Sequence, residues 1–201
     1  MSNPGSGSGS GSERNPSRLV WQTDSFLKLS IPDRVLALHA EITKDPNFFG
    51  FDTHTLKDTN ISLISASPNR TTWEMDVPSH LCNKSANLHG GAAATLLDNL
   101  TSTALMTIAR PGFLDGGHVS RTITMSYLRP VPKGSHVTVD CEVQAAGRNT
   151  ANIVGKVYLN GKLIDELQGI EQARHVDTPS EGIMYTDGTT YNYPHGLYPI
   201  Q

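Results

Sequence analysis

The segment that decides the architecture is Gly90-Gly91-Ala92-Ala93-Ala94-Thr95-Leu96-Leu97-Asp98-Asn99-Leu100-Thr101-Ser102-Thr103-Ala104-Leu105-Met106-Thr107-Ile108-Ala109-Arg110. Between Gly91 and Arg110 its only charged residue is Asp98; the rest is small, apolar, hydroxyl-bearing or amide. This composition predicts a helix from about His89 to Arg110, stopped by Pro111-Gly112 and buried on all sides. Its length approaches that of a membrane span, but Asp98, Asn99, Ser102 and four threonines make it too polar for one. It therefore needs a protein wrapping.

The flanks supply that wrapping. Upstream, Pro32 stands where a first helical turn accepts it, after Ser30 as a cap; Val35, Leu36, Leu38, His39 and Ile42 follow at helical spacing until Pro46. The period then shifts to two. Ile61 and Leu63, then Trp73, Met75 and Val77, alternate with polar residues around a Pro68-Asn69 turn. Beyond the apolar helix come four more strand patterns: Val119 to Tyr127, Val137 to Ala145, Ala151 to Leu159, and Leu163 to Ile170. Asn160-Gly161 joins the last two and is a strong hairpin signal. No helix-length segment separates these strands, so they are mostly antiparallel neighbours. The fold class is α+β, a long antiparallel sheet wrapped around one central helix.

The 201 residues are 37% hydrophobic and 17% charged, low for a globular chain, and the ends account for part of the shortfall. Residues 5–12 read GSGSGSGS, and the segment beyond Val176 is rich in Pro, Gly and Tyr without apolar periodicity. The expected division is a disordered tail over 1–17, a folded domain over 18–175 and a C-terminal tail over 176–201. A net charge of −3 argues against nucleic acid or anionic membrane as a partner. Cys82 and Cys141 form no disulfide framework or metal-type pair, and the spacing of His80, Cys82 and His89 fits no common metal site. The N-terminus lacks an apolar leader stretch, which points to a cytoplasmic protein.

Two anomalies mark a site. Gly90-Gly91 at a helix start exposes bare backbone, and the first helical N–H groups have no intrahelical partner, so they suit a developing oxyanion. The alternative is that the two glycines let the helix press against a strand. Asp98 is a carboxylate in an apolar helix, costly unless paired or used. It is either a structural acid or a general base or nucleophile. Gly91 and Asp98 share a helix face but stand about 10 Å apart along the axis. A second chain with its helix antiparallel would bring one chain's Asp98 to the other's Gly90-Gly91.

The run Asn83…Leu88-His89-Gly90-Gly91-Ala92-Ala93-Ala94-Thr95-Leu96-Leu97-Asp98-Asn99, with Val119-Ser120, Tyr127, Pro130 and Gly134, resembles the hotdog-fold thioesterases of the phenylacetate-pathway and acyl-CoA thioesterase 13 type. The likeness spans about Thr72 to Ala173. It implies a hotdog fold, a dimer or tetramer, and hydrolysis of acyl thioesters, acyl-CoA above all, without a cofactor. It further implies that Asp98 activates water or attacks directly, that the Gly90 N–H receives the oxyanion, and that Asn83 polarises the carbonyl or places the water. Ser120 matches a hydroxyl that orients that water; His89 and Gly91 fall on the substrate side. A glycine is usual in that family where this chain has Ala86. Arg121, with Arg129 and Lys133, is a candidate for the coenzyme A phosphates or simply an exposed strand charge. Two rival readings are a hotdog dehydratase or tailoring enzyme acting on CoA- or carrier-bound acyl chains, and a non-catalytic acyl-binding module.

Overall fold

Alternating apolar and polar residues produce six strands: β1 (Ser62–Ser67), β2 (Arg70–Asp76), β3 (His118–Tyr127), β4 (His136–Ala146), β5 (Thr150–Leu159) and β6 (Lys162–Ala173). They form one sheet in the order β1-β2-β4-β5-β6-β3, with every pair antiparallel. The computed structural model describes residues 25–44, 50–111, 113, 118–173, 183–184 and 190–191. The Gly/Ser run, Pro46, Gly112 and most of both predicted tails lie outside these residues. Within the C-terminal segment, β7 (Ile183–Met184) pairs with β8 (Thr190–Tyr191) as a separate two-stranded sheet.

Among the described residues three α-helices accompany the sheet: α1 (Ile31–Lys44), α2 (Phe51–Leu56) and α3 (Gly90–Leu105). At the start of α1 the Asp33 N–H donates to Ser30 Oγ at 3.3 Å, while the Ser30 hydroxyl donates to Asp33 Oδ2 at 2.5 Å. That is the cap expected of Ser30. Both predicted hairpins form. Asn69 turns the first with φ +66°, and Asn160 and Gly161, at φ +51° and +75°, turn the β5–β6 hairpin as a primed turn requires.

The core lies between α3 and the sheet. Trp73, Met75, Val139, Ile153, Leu167, Leu97 and Leu100 are all buried there, each large side chain worth about 1.5–3 kcal/mol in area removed from water. The approach is closest at Gly155, where an added Cβ would sit 2.6 Å from Thr101 Cγ2 and 2.9 Å from Leu97 Cδ2. Glycine is required there for space, so the helix can lie against the sheet.

Three expectations need correction. The central helix ends at Leu105 instead of running to Arg110. The N–H groups of Met106, Thr107 and Ile108 donate to carbonyls three residues back, and the Thr107 hydroxyl caps the Ala104 carbonyl, so the chain tightens before Pro111 is reached. Nor is α3 buried on all sides: Gly91 is exposed, and Thr95, Asp98, Asn99 and Ser102 are half-buried. Finally, β3 and β4 are not neighbours. β3 closes the far edge beside β6.

Candidate active site

The α3 N-terminus is assembled by backbone bonds from three directions. Leu88 N–H donates to the Val131 carbonyl (2.7 Å), His89 N–H to Leu81 (2.8 Å), and Lys133 N–H to Ala86 (2.8 Å). Inside the loop, Asn83 Oδ1 accepts from the N–H groups of Ser85 (2.9 Å) and Asn87 (3.2 Å). Ala86 adopts φ +57°, the left-handed conformation that glycine takes more readily. The alanine therefore leaves the turn intact at some cost in strain. Because Oδ1 of Asn83 is occupied, its amide nitrogen is the group left to meet a ligand.

His89 caps the helix. Its Nδ1 accepts from the Gly91 N–H at 2.9 Å, which commits that ring nitrogen to the helix start and removes Gly91 as an anion donor. Among the described residues no acceptor takes the Gly90 N–H. The Tyr127 hydroxyl donates to the Gly90 carbonyl at 3.0 Å, and its ring would stand 3.3 Å from any Cβ at position 90. Gly90, Asn83, Tyr127, Arg129 and Asp165 line an open groove with about 850 Å³ of empty volume. Asp165 is 4% exposed, and burial pushes its carboxyl up to about 6.

Asp98 lies elsewhere. Eight residues beyond Gly90, it sits about 12 Å along the axis and does not line that groove. Ser120 Oγ, on β3, donates to Asp98 Oδ1 at 2.6 Å. Burial raises the Asp98 carboxyl above the usual range; the Ser120 bond lowers it in part, and the charge of Asp52 raises it again. Asp52 is held nearby on α2 by the Asn99 amide, whose Nδ2 donates to Asp52 Oδ1 at 3.1 Å. Arg121 is exposed at a β-bulge between Ser120 and Thr122, a feature that re-aims side chains beside active sites.

The predicted residues thus fall into two groups. Asn83, His89, Gly90 and Gly91 converge at the helix start, whereas Asp98, Ser120 and the Arg121 bulge lie further along, and one chain does not unite them. Three acids escaped the sequence reading: Asp52, Asp165 and Glu171. Glu171 had a signal, since it falls in the same two-residue phase as Leu167 and Gly169. It is 0% exposed and opposite Ser120 in the β3–β6 register.

A thioesterase superfamily model matches residues 86–163. Acyl-coenzyme A thioesterase 13 of Mus musculus is 33% identical over 128 residues, covering 63% of this chain and 82% of that protein. The protein of the same name from Homo sapiens is 33% identical over 117 residues, 57% of this chain and 76% of that one. Among solved structures, zebrafish thioesterase superfamily member 2 aligns with a TM-score of 0.61 and 24% identity, over 72% of this chain and 99% of the other. That likeness shows the hotdog fold.

Proposed function

This chain belongs to the thioesterase superfamily and is a thioester hydrolase, and from that premise we propose that it cleaves acyl-coenzyme A to free acid and coenzyme A, with Asp98 activating the water. The observation that carries the mechanism is the Asp98–Ser120 hydrogen bond of 2.6 Å on a half-buried carboxylate. Burial makes Asp98 a stronger base than an exposed carboxylate, and the Ser120 proton fixes which oxygen stays free to accept. Asp98 takes a proton from water as the water oxygen attacks the thioester carbon. The Gly90 N–H, at the positive end of a 16-residue helix, receives the resulting oxyanion. Collapse breaks the C–S bond, and the proton held by Asp98 passes to the departing thiolate. Asn83 offers its amide N–H to the same carbonyl or water from the groove wall.

The acyl-CoA class is supported by the name of the mammalian relatives. The separation of Asp98 from Gly90 supports a homodimeric working unit, in which antiparallel α3 helices complete each site with residues from both chains. The test is free-thiol release from a panel of acyl-CoAs, followed by subunit mixing. Asn83→Asp keeps the oxygen that organises the loop and removes the amide donor. Each of Asp98→Asn and Asn83→Asp should be crippled alone, and exchanged mixtures should regain part of the activity. Exchange without recovery, or a fully active monomer, rules out the shared site.

A further inference from the structure

The Asp98–Ser120 pair does not stand alone. Behind it lies Glu171 of β6, fully buried and opposite Ser120 in the strand register. Among the described residues neither Glu171 carboxylate oxygen has a hydrogen-bond partner, although the Ser120 hydroxyl is close enough to favour the ionised carboxylate. The elements packed around it place two more acids and one histidine nearby. α3 contributes Asp98, which has Asp52 of α2 beside it in turn. β5 places Ala151 opposite, and β3 places His118 two residues before Ser120 on the same face. Among the described residues no lysine or arginine is ion-paired to Glu171 or Asp98. Two adjacent carboxylates, one of them fully buried, do not both ionise readily.

We propose that Glu171 is the positioning residue of this site: a neutral carboxylic acid behind Ser120 that keeps the single Ser120 proton on Asp98. The proposal rests on the assignment of Asp98 as base. Serine has one proton to donate and two lone pairs to accept. With Glu171 protonated, Asp98 is the only anion competing for that proton, and the 2.6 Å bond holds. With Glu171 ionised, a second acceptor faces the same hydroxyl. Asp98 then loses its fixed orientation, and a second negative charge opposes the growing oxyanion. The division of protons fits this order, because burial and the neighbouring Asp98 charge push Glu171 up to about 7.

The experiment is the pH profile of kcat/KM for wild type, Asp98→Asn, Glu171→Gln and Glu171→Leu, all as full-length chains. Wild type should lose activity above about pH 7 at roughly tenfold per pH unit, as one ionisation dictates. Glu171→Gln, which keeps the shape of the acid but cannot ionise, should match wild type at pH 6 and lack that alkaline fall. Glu171→Leu, which exchanges a buried acid for an apolar chain that cores tolerate, should also lack it, with KM unchanged. A merely structural Glu171 would leave the alkaline limb intact in every folded variant, and that result overturns the proposal. Near-normal turnover by Asp98→Asn would instead overturn the assignment of the base.

Discussion

Replacing Glu171 with Gln should change how stability depends on pH, in a window fixed by its burial. In the folded chain the carboxyl is pushed up to about 7 from the usual 4.5, chiefly by loss of water around it. The folded state therefore binds this proton more tightly than the unfolded chain, and stability falls as pH rises between the two values. Below about 4.5 both states are protonated and nothing is lost; above about 7 both are ionised and the full loss is present. A gap of this size corresponds to about 3 kcal/mol, applied without discount for solvent screening because the side chain is 0% exposed. Asp165 acts in the same direction between the usual 3.8 and about 6, as does the raised carboxyl of Asp98, so the wild-type curve sums these groups. The difference between wild type and Glu171→Gln isolates Glu171. Urea denaturation from pH 4 to 8.5 should show the variant gaining relative stability across pH 4.5–7 and no further above it. Parallel curves would refute the argument, since they would mean that Glu171 is ionised in the folded protein or solvated there.

The same structure makes other expectations definite. Gly155→Ala should cost about 1–3 kcal/mol in denaturant unfolding, because its Cβ would strike Thr101 and Leu97 of α3; wild-type stability would mean the helix stands further from the sheet. Ala86→Gly should stabilise by about 0.5–1 kcal/mol, since relief at φ +57° exceeds the entropy glycine adds to the unfolded chain; a loss of stability would place Ala86 in another conformation. A fragment of residues 17–177 should fold and keep its thiol-release activity, in line with the predicted domain limits. Intact folding with lost activity would assign a role to the Tyr-rich end.

Much of the fold could be read from local pattern, because most pairings join segments close in sequence. Asn160-Gly161 and Pro68-Asn69 announced their hairpins, and the near-absence of charge between Gly91 and Arg110 announced the wrapped helix. The place of β3 was not readable, because two strands separate it in sequence from its partner β6 and closure of the sheet over α3 decides the pairing. The short helix α2, Phe-Asp-Thr-His-Thr-Leu, is too brief for periodicity to show. At the site, Asp98 declared itself as a lone charge in an apolar run, whereas its bond to Ser120 was reachable only through the family resemblance. His89 as a cap was hidden, since the usual capping residues are Ser, Thr, Asp and Asn. Glu171 was missed because the strand pattern was followed only to Ile170, one residue short of it.

The central claim is that Asp98 supplies the base, and the most direct measurement is kcat for thiol release together with Tm on one purified Asp98→Asn protein. The amide keeps shape and volume, and its loss of charge removes a half-buried carboxylate. The account predicts kcat lower by about 10²–10⁴-fold, with KM little changed and Tm equal to wild type or higher. A stable Asp98→Asn protein that turns over substrate at close to the wild-type rate would contradict it.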